Sequence, residues 1–402
     1  MKIIYLHQYF NTPSMTGGTR SYEMARRLVE NGHEVHMITS WRDKTDKKDW
    51  FITNEKGINV YWFPVPYSNR LKYKDRIRAF VSFAWKAAYK ATEISADVVF
   101  ATSTPLTIAL PALFASRRHK IPMVFEVRDL WPELPVAIGA LKNPVAIKVA
   151  RWLEGFAYHN STRIVALSPG MAQGIVEAGY PSDKVTVIPN SCDIELFDPV
   201  ASDAQYFRRQ HPDISDGPIV LYSGAFGKIN GLSYMVRMAS VALKAGSNLN
   251  FVAIGKGIEE ELIRREAIQN GVLGENFHIL QPVPKEEMKN VLAAADVALS
   301  LFIDLPEMWA NSANKFFDAI ASGTPVAINY RGWQCDLLEE TSAGIVLPPD
   351  SPEQASQELV KFISDKVRLT DAGRAARQLA IESFDRNVLA KKLERVLIDA
   401  VS

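Results

Sequence analysis

Short apolar runs recur along the chain and alternate with longer stretches in which apolar residues follow a helical spacing. In the first half, these runs lie at residues 2–6, 34–39, 59–63, 98–101, 123–127 and 164–167. Runs that are apolar on both faces are typical of parallel strands covered by helices on both sides of a sheet. The alternation of such strands with helices predicts an α/β fold with parallel sheets.

A second series of the same kind begins at residues 219–222, continues at residues 251–254 and includes a helix-to-strand junction at residues 293–301. A chain of 402 residues is long enough for two domains of ordinary size. We therefore predict three parts, which are an N-terminal domain at 1–193, a C-terminal domain at 194–382 and a terminal helix at 383–402.

The segment at residues 311–328, NSANKFFDAIASGTPVAI, predicts a helix followed directly by a strand. Asn311 and Ser312 are residue types that cap helix N-termini. Gly323 is placed to end the helix, and Pro325 cannot continue it.

Three polar residues of this helix, Asn314, Lys315 and Asp318, are spaced so that they share one face. A helix N-terminus favours a phosphate, and Lys315 adds a full positive charge there. Asp318 lies one turn deeper, where it can accept hydrogen bonds from a diol such as a ribose. On spacing alone, the pattern fits an amphipathic helix with a solvated polar face equally well.

Two glycine-containing loops precede predicted helices. Gly17 and Gly18 stand before a helix in the first half, and Gly224 and Gly227 follow the strand at residues 219–222. Glycine lets an anion approach backbone N–H groups closely, and a plain turn is the alternative in each case. No Gly-x-Gly-x-x-Gly fingerprint follows the first strand, which disfavours a nicotinamide-dependent dehydrogenase.

Charged residues follow the predicted strand at residues 123–127, at the edge where open α/β sheets bind ligands. We predict that Arg128 and Arg20 contact a ligand, and that Asp129 and His7 are candidate general bases. The alternatives are a structural ion pair at the strand end and an Arg20 that only covers its own helix.

Residues 70–90, RLKYKDRIRAFVSFAWKAAYK, combine basic and aromatic side chains. Such a composition is typical of a helix that lies on an anionic membrane surface. A second basic patch at residues 117–120 is predicted on the same domain. The alternative is a surface helix that packs by its aromatic side and leaves its basic side solvated.

Composition excludes several classes of protein. The chain has 46 Lys and Arg against 45 Asp and Glu, so a formal charge of +1 gives no field that favours nucleic acid. Its two cysteines, Cys192 and Cys335, form neither a disulfide framework nor a metal cluster, and a reducing compartment is expected. Cys192 is predicted to be structural, because no histidine lies near it in the sequence. No signal peptide and no apolar run of the roughly 18 residues that a membrane span needs is found.

The segment at residues 311–328 resembles the signature helix of retaining glycosyltransferases of family four, which have the GT-B fold. This resemblance implies two Rossmann-like doubly wound domains facing a cleft. In that family, two Glu residues separated by seven residues precede a small-Gly-x-Pro-Val strand. Asp318 matches the second acid and residues 322–326 match the tail, whereas Ala310 stands where the first acid is expected. The pattern Asn-x-x-Asn-Lys-x-x-Asp resembles transferases of bacterial surface polysaccharides, including N-acetyl-L-fucosamine transferases.

The resemblance assigns roles to the motifs. It implies that Arg20 and Arg128 lie on the acceptor or sugar side of the site, and that Asp129 and His7 are candidate bases for the acceptor. It implies that the Gly17–Gly18 loop lies against the donor diphosphate and the acceptor, and that Val283 belongs to the segment whose backbone reads the base. Relatives carry Arg and Lys in the second glycine loop where Ala225 and Asn230 stand here. Lys228 and Lys315 are therefore predicted to supply the positive charge.

The departures from the family pattern carry further expectations. Asn311 and Ser312 are expected to replace the missing first acid in holding sugar hydroxyls. Arg128 stands where many relatives have a His that meets the 6-hydroxyl of the donor sugar. A 6-deoxy sugar lacks that hydroxyl, so Arg128 fits a deoxysugar donor. The terminal helix is expected to pack back on the first domain.

The predicted function is transfer of a sugar, such as N-acetyl-L-fucosamine, from a UDP-sugar to an undecaprenyl-diphosphate-linked saccharide. This reaction would serve O-antigen, capsule or exopolysaccharide synthesis, with retention of anomeric configuration. No metal and no other cofactor is expected, because fixed N–H groups and lysines can stabilise the departing diphosphate. We expect a cytoplasmic protein that is peripheral on the inner face of the plasma membrane. The alternatives are a GT-B UDP-sugar epimerase and a non-catalytic member that binds a nucleotide sugar.

Overall fold

The computed structural model describes residues 1–15, 17–66 and 73–402, and the side chains of residues 73 and 74 are not among the described parts. The chain divides into two compact units. Unit 1 comprises Met1–Pro189 and Asn387–Ser402, and unit 2 comprises Asn190–Arg386. We expected the first domain to end at residue 193, and unit 1 ends at Pro189. We expected the terminal helix to begin at residue 383, and the chain returns to unit 1 at Asn387.

Unit 1 contains an eight-stranded sheet in the order β3-β4-β2-β1-β5-β6-β7-β8. All neighbouring strands pair in parallel except β3 and β4, which form an antiparallel pair. The strands are β1 (Lys2–Leu6), β2 (Glu34–Trp41), β3 (Phe51–Glu55), β4 (Ile58–Pro64), β5 (Val98–Thr102), β6 (Met123–Val127), β7 (Arg163–Ala166) and β8 (Val185–Val187). The predicted α/β fold with a parallel sheet is confirmed in this unit.

Helices of unit 1 connect the parallel strands. They are α1 (Arg20–Glu30), α2 (Tyr73–Thr92), α3 (Ala109–His119), α4 (Glu133–Ala137), α5 (Pro144–His159) and α6 (Pro169–Glu177). The central strands β1, β5 and β6 carry the core, and nearly every one of their side chains is buried. This burial on both faces is the reason their sequences read as continuous apolar runs.

Unit 2 contains a six-stranded parallel sheet in the order β11-β10-β9-β12-β13-β14. Its strands are β9 (Ile219–Ser223), β10 (Asn250–Ile254), β11 (Phe277–Leu280), β12 (Val297–Ser300), β13 (Val326–Ile328) and β14 (Gly344–Val346). Its helices are α7 (Ala204–Gln210), α8 (Ser233–Lys244), α9 (Glu260–Gln269), α10 (Lys285–Ala294), α11 (Asn314–Ala321), α12 (Trp333–Thr341), α13 (Pro352–Ser364) and α14 (Lys366–Phe384). The doubly wound, Rossmann-like prediction is confirmed here as well.

The last helix, α15 (Arg386–Val401), belongs to unit 1 from Asn387 onward. Glu394 on this helix accepts hydrogen bonds from Asn31 Nδ2 and pairs with His33 Nε2, each at 2.7 Å. Arg27 Nε donates to Asn387 Oδ1, also at 2.7 Å. The end of the chain is therefore fastened to the end of α1.

Candidate functional site

The strand order of unit 2 creates a topological switch point between β9 and β12. From β9 the chain winds outward to β10 and β11, whereas from β12 it winds the other way to β13 and β14. Ligands of open α/β sheets bind at the carboxyl ends of the strands at such a point. The loop that follows β9 contains Gly224 and Gly227, and the segment that follows β12 leads into α11, with Lys315 and Asp318.

Lys315 lies directly behind the glycine loop. Its Nζ donates to Tyr222 Oη at 2.9 Å and sits 4.3 Å from the centre of the Tyr222 ring. A second ring, that of Phe302, lies 5.4 Å away. When the Asn230 amide is oriented so that Nδ2 donates to Ala225 O (2.8 Å), its Oδ1 accepts from Lys315 Nζ at 3.3 Å. The ammonium is thus held by neutral groups.

This environment changes the proton affinity of the lysine. Burial lowers the pKa of Lys315 to about 7, because no carboxylate among the described residues compensates for the loss of water around the charge. An anion placed beside the ammonium would restore the charged form. Lys315 therefore stays a prediction for contact with a negatively charged ligand.

The glycine loop is held tightly against the next strand-to-helix turn. Gly224 N donates to Ile254 O at 2.9 Å and Phe226 N donates to Lys256 O at 3.0 Å, so the β9–β10 pairing continues past both strands. Gly224 has a φ of +150°, and a Cβ there would lie 3.3 Å from Lys315 Cε. A Cβ on Gly255 would meet Gly224 O at 1.8 Å. A side chain on Gly255 would displace backbone, whereas a Cβ on Gly224 would crowd Lys315 and strain the local backbone.

Three further residues predicted to bind the nucleotide sugar, Gly227, Lys228 and Val283, lie in unit 2. Gly227 directly precedes a 3₁₀ turn at Lys228–Asn230, and Lys228 is exposed. Val283 is half-buried in the segment between β11 and α10. These positions keep Lys228 and Val283 as predictions for contact with the diphosphate and the base.

The N-terminus of α11 differs from the prediction. The helix begins at Asn314, and the preceding residue, Ala313, provides no side-chain cap. Asn311 instead folds the approach to the helix, since its Oδ1 accepts from Ala313 N (3.2 Å) and its Nδ2 donates to Met308 O (2.7 Å). Ser312 Oγ accepts from Asn190 N at 3.0 Å. Asn311 and Ser312 are both buried, and Asn314 is exposed at the first helical position.

Asp318 lies one turn into α11 with 21% of its side chain exposed, and Lys285 Nζ is 3.6 Å from its Oδ1. Burial raises the pKa of the Asp318 carboxyl, and the Lys285 ammonium acts in the opposite direction. Lys285 was not anticipated from the sequence. The available signal in the sequence was its position directly after Pro284, as the first residue of α10.

Cys192 lies on the segment that enters unit 2, and its thiol is buried and donates to Phe317 O of α11 at 3.2 Å. Burial raises the pKa of the Cys192 thiol well above its usual range, so the thiolate is disfavoured. The structure therefore gives Cys192 a packing position, in line with the structural role expected for it. The other cysteine, Cys335, lies with Asp336 and Glu339 on α12 in a group whose two acids are exposed.

In unit 1, the predicted acceptor-side residues gather at the carboxyl ends of β1 and β6. Arg128 N donates to Ser103 Oγ (2.9 Å), and Asp129, which is exposed, accepts from Thr104 Oγ1 (3.2 Å). Gly17 has a φ of +131° and Gly18 O accepts from Asn11 Nδ2 at 3.3 Å. The loop with Gly17 and Gly18 is thus anchored by one asparagine.

His7 is brought to the same edge, but its surroundings oppose the expected role as a base. Burial, followed by the charges of Arg128 and Arg42, lowers the pKa of His7 well below its usual range. Arg128 Nη1 donates to His7 Nε2 at 3.4 Å. The remaining nitrogen, Nδ1, then carries the proton of the neutral ring, so neither nitrogen offers a free lone pair.

Arg20 has a structural position that contradicts the expected contact with an acceptor phosphate. Its side chain is 1% exposed and pairs with Glu126, with Nη2 to Oε1 at 2.9 Å. It also donates to the carbonyl oxygens of Ile188 (2.8 Å) and Pro189. The guanidinium therefore joins α1, β6 and the segment that follows β8. It is not available to a ligand.

The comparisons with known proteins agree with this architecture. Residues 16–191 match the family model described as "Glycosyl transferase 4-like domain", and residues 203–379 match the one described as "Glycosyl transferases group 1". A 2-deoxystreptamine glucosyltransferase of Streptomyces kanamyceticus is 20% identical over 61% of this chain and 62% of its own length, less than two thirds of that relative. An alpha-galactosylglucosyldiacylglycerol synthase of Streptococcus pneumoniae is 22% identical over 64% of this chain and 67% of its own length.

Solved structures show the same fold over the whole chain. A sucrose-phosphate synthase from Thermosynechococcus elongatus superposes with a TM-score of 0.81 at 16% identity, covering 99% of this chain and 98% of that one. HepE of Anabaena, solved in complex with UDP and glucose, superposes with a TM-score of 0.75 at 17% identity, covering 99% of this chain and 100% of that one.

Proposed function

Because this chain belongs to the glycosyltransferases of the GT-B fold, we propose that it transfers a sugar from a UDP-sugar to a lipid-linked saccharide. The observation that carries the proposal is the arrangement at the switch point of unit 2. There a glycine loop and the helix α11 follow β9 and β12. This helix carries Lys315, which contacts neutral groups, and Asp318 one turn deeper.

We propose that Lys315 neutralises the charge that develops on the diphosphate as the bond to the sugar breaks. Lys228 and the N–H groups of Ala225 and Gly227, which lie beside the already bonded N–H groups of Gly224 and Phe226, donate to the diphosphate in this proposal. Such preorganised donors are usually the largest source of rate enhancement. Asp318 accepts hydrogen bonds from the ribose. The reaction proceeds without a metal ion in this proposal, because lysine supplies the charge. Retention of configuration is part of the proposal and rests on the resemblance of α11 to the family signature.

The choice of uracil as the base is supported by the complex of HepE with UDP. The lipid-linked acceptor is supported by the name of the diacylglycerol-glycoside synthase among the relatives. For the sugar we propose an N-acetylated 6-deoxyhexose such as N-acetyl-L-fucosamine, from the pattern of α11 and from Arg128. The proposed acceptor carries undecaprenyl diphosphate, as in bacterial surface-polysaccharide synthesis.

A thermal-shift panel of UDP, GDP, ADP, dTDP and NAD, with and without magnesium, tests the donor assignment. A ligand that binds the folded state raises the melting temperature by mass action. We expect UDP alone to stabilise the protein and magnesium to add nothing. The shift should be smaller in Lys315→Ala and Asp318→Ala than in wild type and unchanged in Lys361→Ala, since Lys361 is exposed on α13.

Turnover distinguishes transfer from the two alternatives. Release of UDP that requires a lipid-linked saccharide supports transfer. Conversion of the donor without any acceptor indicates an epimerase instead, and UDP binding without any turnover indicates a non-catalytic member. Matches of both halves to glycosyltransferase models favour transfer over these two.

We also propose that unit 1 contacts an anionic membrane, where a lipid-linked acceptor would be found. On α2, Ile77, Val81, Trp85 and Tyr89 are exposed and follow one another at intervals of four residues, so they form one stripe. Trp85 is 64% exposed. Two of the expected aromatic residues, Phe80 and Phe83, do not join the stripe, and Phe83 is buried in the core. Residues 70–72 of the predicted membrane segment lie outside the described residues.

The stripe continues onto neighbouring helices. Tyr89 contacts Phe114 of α3 with ring centres 6.2 Å apart, and α5 packs beside α3. Val145, Val149 and Trp152 are exposed on one face of α5, with Trp152 at 61%.

The exposed charged side chains that flank these apolar residues on α3 and α5 are Arg117, Arg118, Lys148 and Arg151. Exposed tryptophans flanked by basic residues suit the headgroup region of an anionic bilayer. In the part of the chain that the structure describes, no helix is long and apolar enough to span a membrane.

A further inference from the structure

Lys285, the first residue of α10, lies between two carboxylates that come from different parts of unit 2. Its Nζ contacts Asp193 Oδ2, on the segment that enters the unit, and lies 3.6 Å from Asp318 Oδ1, on α11. The Lys285 side chain is 29% exposed, and its ammonium is 5.7 Å from the centre of the Phe197 ring. One lysine thus joins α10, α11 and the entering segment.

Asp193 has a second cation of its own. Arg386 donates to both carboxylate oxygens of Asp193, with Nη2 to Oδ2 at 2.9 Å, and its Nη2 also donates to Ser191 O at 3.0 Å. Burial alone would raise the pKa of Asp193, but Arg386 and then Lys285 hold it well below its usual range. Arg386 is therefore the main group that keeps Asp193 ionised, and Lys285 is the cation beside Asp318.

The ionisation of Asp318 is balanced between opposing groups. Burial raises the pKa of its carboxyl, Lys285 lowers it, the neighbouring Asp193 raises it and Arg386 lowers it. The buried thiol of Cys192 faces the same carboxylate and stays neutral. Among these groups Lys285 makes the largest favourable contribution to the charged form, so its removal should shift the balance toward the protonated acid.

We propose that Lys285 is a positioning residue for the donor, which keeps the Asp318 carboxylate ionised and in place for the ribose hydroxyls. This inference rests on the proposed role of Asp318 as the ribose acceptor. An ionised carboxylate accepts hydrogen bonds from both hydroxyls of a diol, whereas a protonated one gives up part of that capacity. Since the ribose is remote from the bond that breaks, Lys285 acts on donor affinity and KM and leaves kcat nearly unchanged.

Calorimetric titration with UDP between pH 6 and 9 tests the inference on wild type, Lys285→Met, Lys285→Arg and Lys361→Met. At pH 7 we expect Lys285→Met to bind UDP about tenfold more weakly, since hydrogen bonds to a charged group are among the stronger ones. The loss should grow as the pH falls and shrink toward pH 9, because the variant raises the pKa of Asp318. Lys285→Arg should restore most of the affinity, and Lys361→Met should behave as wild type.

A second ligand separates positioning from simple damage to the fold. UDP with a 2′-deoxyribose lacks one of the two hydroxyls, so the ratio of wild-type to Lys285→Met affinity should be smaller for it than for UDP. An equal loss for both ligands at every pH would mean a structural ion pair and would overturn the inference, as would a Lys285→Met protein that binds UDP like wild type. Failure of wild type itself to bind UDP is a different result, which overturns the proposed function.

Discussion

At the scale of single residues, the surroundings of Lys315 give the proposed contact with a diphosphate a measurable consequence. Its ammonium contacts Tyr222, Phe302 and Asn230, all neutral, and burial lowers its pKa to about 7. The diphosphate of UDP should raise this pKa again. At pH 8 the free lysine is mostly neutral and the bound one charged, so binding should take up close to one proton. Below pH 6 the free lysine is already charged, and the uptake should vanish.

Titration of UDP in two buffers with different ionisation heats measures this proton uptake directly. Lys315→Met should abolish the uptake at pH 8. Lys228→Met is the matched comparison, because Lys228 is exposed and should lose affinity without losing the uptake. An unchanged uptake in Lys315→Met would show that another group takes the proton.

Arg20 differs from Lys315, because it was expected to contact a ligand and instead forms a buried ion pair with Glu126 in unit 1. Replacing it by Met leaves Glu126 fully buried without its partner. We expect a loss of about 3–5 kcal/mol in the free energy of unfolding, measured by urea titration. The double variant Arg20→Met/Glu126→Gln should recover part of this loss.

The matched comparison for Arg20 lies on the same helix. Arg26 pairs with Glu23 and Glu30 at 27% exposure of its side chain, so Arg26→Met should lose less than about 1 kcal/mol. A stable Arg20→Met protein with a raised KM for the acceptor would return Arg20 to the acceptor site.

At the scale of elements, the backbone of the loop between β9 and α8 lies close to Lys315 at Gly224. Gly224→Ala places a Cβ 3.3 Å from Lys315 Cε and 3.6 Å from its Nζ, at a φ of +150°. We expect UDP affinity to fall roughly tenfold or more, because the methyl group occupies the space beside the ammonium. Gly246→Ala is the comparison, since Gly246 also has a positive φ, +72°, and no atom lies within 4 Å of a Cβ there.

Both glycine variants should lose some stability through backbone strain, and denaturant titration measures that shared cost. Only Gly224→Ala should lose UDP affinity. Equal affinities for UDP in the two variants would remove the loop from the donor site.

The sequence predicts elements well where local pattern and tertiary environment agree. Both faces of β1, β5 and β6 are covered, so nearly every residue of these strands is buried. Their sequences are therefore continuous apolar runs, which the pattern shows directly. The short strands β8 and β14 carry half-buried residues and give no such signal. The start of α11 was misplaced because Asn311 and Ser312 resemble caps, while their side chains bond elsewhere in unit 2.

The chemistry of the site follows from the sequence only in part. The face with Lys315 and Asp318 is local to one helix and could be read from spacing. The partners of Lys315 and of Arg20 could not be predicted in this way. Tyr222 is 93 positions from Lys315, and Glu126 is 106 positions from Arg20. Pairing across such distances depends on strand order, and the sequence pattern does not specify strand order.

At the scale of the whole molecule, most of the large apolar residues exposed on the described part of unit 1 lie on α2, α3 and α5, and basic residues flank them. Vesicle flotation tests whether these helices meet a membrane, with phosphatidylcholine vesicles that contain or lack phosphatidylglycerol. Wild type should float with the anionic vesicles. The double variant Trp85→Ser/Trp152→Ser should stay at the bottom of the gradient, because the two most exposed aromatic anchors are gone.

The comparison for this experiment comes from unit 2, whose Ile258 and Val367 are as exposed as the two tryptophans. Ile258→Ser/Val367→Ser removes apolar surface outside the three helices and should float like wild type. Charge is tested separately with Arg78→Gln/Lys148→Gln, which should bind anionic vesicles more weakly and lose the difference between the two vesicle types. If the tryptophan variant floats as wild type does, the apolar stripe has another partner. Transfer to a lipid-linked acceptor would then require that the acceptor reach unit 1 without help from these helices.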